Sequence, residues 1–197
     1  MFIDVLRAGG VVLLLYVGVD GLRFGRRDLP FRLIRYSFFL YLLYVGHYTL
    51  GAIRLGPPVS LWEVWNARTQ LVPFQFLEYT RHLYRVHGMD VRVLQSVRLS
   101  FYNLLLLMPL GFYLPVLFGK RGLVSVALAG FLLSLGIETA QLVLSAGGWI
   151  RPRTFNVDDL ILNTAGAVLG WVMYRLLADR RMKRLLERWK GECQEDE

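Results

Sequence analysis

From Ser100 to Gly119 the chain runs through twenty positions without one charged side chain. About 20 mostly apolar residues in helical form cross the roughly 30 Å hydrocarbon core of a bilayer, so this run predicts a membrane span. Pro109 and Pro115 lie inside it, which a bilayer helix accommodates where neighbours satisfy the carbonyls that a proline frees. Four further apolar stretches come near the same length, at about 6–22, 34–53, 122–146 and 158–178. The first is the weakest, because Asp20 interrupts it and its unbroken core, Val11 to Val19, has only nine residues. The second carries Arg35 and His47, the fourth a single charge at Glu138, and the fifth opens on Asp158 and Asp159 and ends near Arg175. The expected fold is all-α, a polytopic transmembrane helix bundle of about five spans in a single membrane domain, 1–197.

Composition agrees. Hydrophobic residues make up 55% and charged residues 19%, against roughly 25% charged in soluble domains, which argues against disorder and against an ordinary soluble enzyme. The net charge of +8 would raise nucleic-acid binding in a soluble protein. Here the basic groups flank apolar stretches, at Arg23, Arg26, Arg27 and Arg32 and from Arg180 to Lys190, as in loops held on the cytoplasmic face, so no nucleic-acid partner is expected. Asp20 reads as snorkelling to that interface beside Arg23. The lone Cys193 allows no intrachain disulfide and no cysteine metal site. Arg7 before an apolar run resembles a signal peptide, but a basic stop follows instead of small residues, so the stretch reads as an uncleaved span. His82 and His87 sit in a wet loop with Glu78 and Asp90 and read as solvated groups ahead of ligands; no metal or cofactor is expected.

The positive residues also set an orientation in the cytoplasmic membrane. Loop 23–33, the turn at Lys120 and Arg121, and the tail fall on one side, which places the C-terminus in the cytoplasm and the N-terminus outside. The long loop 54–99 then faces outward. Its mixture of Leu61, Trp62, Trp65, Leu71, Phe74, Phe76, Leu77, Tyr79 and Tyr84 with charges predicts an interfacial segment broken near Pro73. The stretch from Leu176 to Lys190 reads as a basic amphipathic helix, and 179–197 as a basic, then acidic, cytoplasmic tail.

A charge at the centre of a span costs about 2.5 to 3.5 kcal/mol on insertion scales, so each one requires a reason. Ser134, Glu138, Gln141 and Ser145 are spaced 4, 3 and 4 and share one stripe of the fourth span. Asp159, Asn163, Gly166 and Gly170 repeat that spacing on the fifth, where the two glycines form a pair that lets helix backbones approach closely. These stripes are expected to pack the fourth and fifth spans together, polar residues near the outer end and glycines below. Asn103 on the third span and Arg153 in the preceding loop can reach the same place. Two readings remain open: a polar layer that binds helices together, or a site opening to the outer leaflet, for which three carboxylates with an arginine are suited.

The run NLLLLMPLGFYLP, then SLGIETAQ, then RTFNVDDLILNTAGAVLGW resembles the core of the VanZ-like family of integral membrane proteins, in block order and in spacing, from Asn103 to Trp171. LVPF at 71–74 resembles the short block that precedes them. The resemblance implies a core of three spans at 100–178 and signature positions at Asn103, Pro109, Gly111, Ser134, Glu138, Gln141, Arg153, Asp158, Asp159, Asn163, Gly166 and Gly170. Asn156 departs from it, since the family often has an acid there. The family takes its name from a teicoplanin-resistance protein, so the resemblance implies a role at the cell envelope and tolerance to lipoglycopeptides, without supplying a reaction.

The expected partner is a membrane lipid or lipid-linked envelope precursor, or a lipoglycopeptide. Arg153 would hold an anionic headgroup, with Asn103, Ser134, Gln141, Asp158 and Asn163 as further binding residues. Glu138 and Asp159 are the candidate catalytic pair if the protein is an enzyme, with Glu138 as acid or base. A proton or ion relay through the same carboxylates is a third possibility.

Overall fold

The computed structural model describes residues 3–25, 28–53, 56–119 and 122–177, and in it the uncharged run is the latter part of a broken helix. Helices α1 (Val5–Phe24), α2 (Leu29–Leu50), α3 (Leu61–Ala67), α4 (Gln75–His87), α5 (Val91–Leu106), α6 (Met108–Phe118), α7 (Leu123–Ala146) and α8 (Val157–Leu177) follow one another along the chain. Two-residue strands join distant segments: β1 (Ile3–Asp4) pairs antiparallel with β2 (Ala52–Ile53), and β3 (Thr69–Gln70) pairs parallel with β4 (Phe155–Asn156).

Together α5 and α6 make one span of 28 residues, Val91–Phe118, which starts earlier than the sequence suggests because Asp90 caps it, accepting from the Val91 N–H at 2.6 Å. The break at Leu107 has a local cause. Pro109 has no N–H to offer the Leu105 carbonyl, which accepts from Leu107 instead, and the Leu106 carbonyl takes the Tyr41 hydroxyl at 2.9 Å.

Among the described residues three helices are long and apolar enough to cross a membrane: 91–118, α7 and α8. The other two expected spans, α1 and α2, have 20 and 22 residues but are diluted by Arg7, Asp20 and Arg23 in one and by Arg32, Arg35 and His47 in the other. Five helices therefore meet the expected length, and three meet the expected apolarity as well. The helical bundle agrees with the all-α expectation.

The α1–α2 hairpin corrects the reading of Asp20. It does not snorkel beside Arg23; it is 7% exposed and pairs with Arg32, Nε to Oδ2 at 2.6 Å, while the Tyr36 hydroxyl donates to the same oxygen. The turn between the helices brings these positions face to face, which no spacing along one helix reveals.

Val45, Leu107, Leu110, Val126 and Ala167 form the main core, so α2, the broken helix, α7 and α8 all meet in it. The glycines of α8 do not pack against α7 as expected. Gly166 lies against the Leu104 carbonyl and Gly170 against that of Met108, while Gly111 of α6 lies against that of Ala167; a Cβ at any of the three would collide with backbone. The α7–α8 contact uses Gly130 of α7 against the Ala167 methyl instead. Both helices have a small-residue position, but Gly166 and Gly170 stand on the face of α8 turned toward the third span.

Chain 56–60 runs over the end of α7, with Gly56 N–H on the Gly148 carbonyl at 2.9 Å and Val59 N–H on that of Ala146 at 2.7 Å. The basic turn residues Arg26, Arg27, Arg54, Lys120 and Arg121 lie outside the described residues, as does the tail after 177 with its expected amphipathic helix and Cys193.

Candidate functional site

The polar stripe of α7 faces inward along its length. Ser134, Glu138, Gln141 and Ser145 are 0, 2, 8 and 6% exposed. Each has a partner from a different part of the chain. Ser134 Oγ accepts from Asn163 Nδ2 of α8 at 2.9 Å, and Gln141 Nε2 donates to the Thr49 carbonyl of α2 at 2.8 Å. Ser145 Oγ accepts from the backbone N–H of Arg153 at 3.1 Å, which fixes the start of the loop into α8. Glu138 Oε2 accepts from the backbone N–H of Asn156 at 3.0 Å. At 1.5 Å per residue, Glu138 sits about 12 Å below the end of α7.

Asn156 joins these groups. Its Oδ1 accepts the Asp158 N–H at 3.0 Å, which caps the first turn of α8, and its Nδ2 donates to Asp159 Oδ1 at 3.1 Å. Its own N–H serves Glu138, so one residue touches both candidate catalytic carboxylates. Sequence reasoning noted Asn156 only as a departure from a pattern. The signal that could have found it was its place, an asparagine just ahead of two acids and an apolar run, which is a helix-start signature. Asp159 Oδ1 receives a second amide, Asn103 Nδ2 of α5, at 2.6 Å.

Asp158 faces the other way. Its Oδ1 accepts the Phe74 N–H at 2.5 Å and its Oδ2 the Phe76 N–H at 2.8 Å, so a carboxylate from the start of α8 caps the start of α4. An anion there meets unpaired amides and the positive end of the helix dipole. Phe74 holds φ 62°, an uncommon left-handed conformation for a phenylalanine, between Pro73 and α4. The parallel pairing of Thr69–Gln70 with Phe155–Asn156 clamps the same junction. LVPF at 71–74 and the paired aspartates are thus two sides of one contact.

Between these elements lies a cavity of about 940 Å³. Asn103, Glu138, Gln141, Arg153, Asp158, Asp159 and Asn163 all line it, and Ser134 lies beneath it, fully buried. Tyr48, Gln70, Gln75, Arg92, Gln95 and Asn156 are among the further polar residues of its wall, and the sequence does not single them out as site residues. Gly166 and Gly170 set helix distance and do not line it. Arg153 reaches the cavity, as its place in the loop suggests, and forms no ion pair among the described residues. Arg92 is engaged by His87 Nε2 at 3.0 Å and Asp90 at 3.7 Å. Among the described residues no group of three His, Cys, Asp or Glu is placed to hold a metal ion. Among the described residues the arrangement offers an anion the Arg153 guanidinium, which has no ion pair, and offers donors a set of carboxylate and amide oxygens.

Neither the curated proteins nor the solved structures give a significant match to the chain. A family model does: the one described as VanZ/LLP1 matches residues 38–178, more than two thirds of the chain. The match extends beyond the blocks that carried the resemblance, taking in α3, α4 and the greater part of α2 along with the helices that enclose the cavity. The chain belongs to the VanZ/LLP1 family.

Proposed function

We propose that the cavity holds the headgroup of a lipid-linked or lipid-tailed envelope molecule in the outer leaflet of the cytoplasmic membrane. Through that binding the protein would contribute to tolerance of lipoglycopeptides such as teicoplanin. The observation that carries this reading is a polar cavity of about 940 Å³ whose wall holds Arg153, without an ion pair among the described residues, inside a bundle whose helices expose apolar side chains around it. Ligand cavities of roughly 300 to 1,000 Å³ suit a headgroup, and exposed apolar helix faces leave the acyl chains in lipid. Arg153 holds the anionic part of the ligand, since its planar guanidinium matches phosphate geometry.

The test is the lipid that co-purifies with the protein. Arg153→Ala is expected to lose most of the anionic lipid that wild type retains; unchanged lipid content would remove this role. In a bacterial host, wild type should raise teicoplanin tolerance and an equally abundant Glu138→Gln should not. A second reading, an enzyme acting on the bound lipid, is favoured by the Asn156 bridge that brings Glu138 and Asp159 together. It requires Glu138→Gln to abolish turnover while binding persists.

A further inference from the structure

Four side chains of α7 and α8, three of which line the cavity, form a four-cornered set, a square. Ser134 and Glu138 are one turn apart on α7, and Asp159 and Asn163 are one turn apart on α8. Asn163 to Ser134 closes one side at 2.9 Å, and Asn156 bridges Glu138 and Asp159 on the opposite side. The donors available to the square are thereby used on one oxygen of each acid: Asn156 N–H on Glu138 Oε2, and the amides of Asn103 and Asn156 on Asp159 Oδ1. Glu138 Oε1 and Asp159 Oδ2 have no hydrogen bond among the described residues. Independently, Asn163 is 2% exposed, lines the cavity, and its Oδ1 is buried without a partner. A buried acceptor left so is unfavourable, and an occupant that donates to it would relieve the cost.

Charge narrows the kind of donor. Asp158, the third acid, is used by the Phe74 and Phe76 amides. Arg92 is held by His87 and Asp90, and Arg153 pairs with neither Glu138 nor Asp159. Among the described residues neither carboxylate of the square forms an ion pair, although Arg153 acts on both from a distance. A primary ammonium answers both features, with one positive charge and three N–H donors for three oxygens. We propose that the square is an ammonium site, and that the occupant is an amine-bearing amphiphile of the ethanolamine-phospholipid type, with its phosphate toward Arg153. This rests on the headgroup reading above and adds the identity of the group that lies deepest.

Titration of detergent-purified full-length protein with phosphatidylethanolamine, phosphatidylcholine and phosphatidylglycerol of identical acyl chains tests it, read by native mass spectrometry. Trimethylation removes every N–H donor and enlarges the cation, so the ethanolamine lipid should bind about ten-fold more tightly than the choline lipid, the worth of one charge-assisted hydrogen bond. Asp159→Asn should shrink that preference to about two-fold while leaving phosphate recognition in place. Equal binding of the ethanolamine and choline lipids by wild type overturns the ammonium site without any variant having to fold. Tightest binding of phosphatidylglycerol, lost in Arg153→Ala, also overturns it but keeps the headgroup reading. If no lipid binds, both readings fall.

Discussion

At the scale of single residues, the site is built by side chains that serve backbone as much as ligand. Asp158 receives two amides of the α4 start, so its removal should act on α4 before it acts on any bound molecule. Asp158→Ala leaves two donors unpaired and a phenylalanine in left-handed conformation unsupported, an expected loss of about 1–3 kcal/mol. Hydrogen exchange should rise across residues 71–87 and stay protected in the middle of α7; uniform deprotection of both would show a wider role. Asn156 makes a sharper case. Asparagine and aspartate are nearly equal as helix caps, so a residue that only capped α8 would tolerate Asn156→Asp. Its Nδ2 also donates to Asp159 at 3.1 Å, and an ionised carboxylate there replaces a donor with a like charge. The variant should unfold at lower temperature than wild type near neutral pH, with the gap narrowing on acidification, because protonating the new acid restores an O–H donor. A gap independent of pH would mean that the amide donor is unimportant.

At the scale of helices, periodicity made the α7 stripe legible, because spacing of 4, 3 and 4 fixes a shared face on any α-helix, and all four of its residues are buried. Periodicity says which residues share a face, and it is silent on which neighbour that face meets. This is why spacing points Gly166 and Gly170 at α7 when they meet the third span, and why the contact of Asp158 with Phe74, across more than eighty positions, is not legible in the sequence. Chain proximity brings Arg153 to the site, where it lines the cavity, yet it forms no ion pair among the described residues, since a side chain's partner depends on loop geometry. The glycine contacts give a direct comparison. Gly170→Val sets a branched side chain against the Met108 carbonyl and must push α6 from α8, with an expected cost of about 1–3 kcal/mol. Gly136, in the middle of α7, has nothing near its would-be Cβ, so Gly136→Ala should be neutral or stabilise by up to about 1 kcal/mol. Thermal unfolding of the two variants in detergent checks both; similar losses would mean that the close approach is not what the α8 glycine serves.

At the scale of the whole molecule, apolarity and packing weigh α1 and α2 differently as bilayer crossings. Three helices have the composition of spans, and α2 with its arginines and histidine does not. Yet α2 lies along the bundle at every level. Thr49 receives Gln141 beside the cavity, Val45 joins Leu107 and Leu110 in the core, and Phe38 meets Tyr113 and Phe118 toward the opposite end. α1 runs antiparallel beside it over its whole length, from the β1–β2 pairing through Gly9 against Leu43 and Tyr16 against Tyr36 to Asp20 with Arg32. A helix that matches a spanning neighbour from end to end is expected to cross with it, its polar groups being tolerated where they pair within the protein, as Asp20 and Arg32 do. Five crossings would place Asp28, at the α1–α2 turn, opposite in side to Met89, at the α4–α5 turn. With Cys193 replaced by serine, a cysteine at Met89 should react with a membrane-impermeant maleimide in intact cells, and one at Asp28 only after permeabilisation. Labelling of both in intact cells would mean that α1 and α2 do not cross, and labelling at Asp28 alone would invert the orientation drawn from the basic loops.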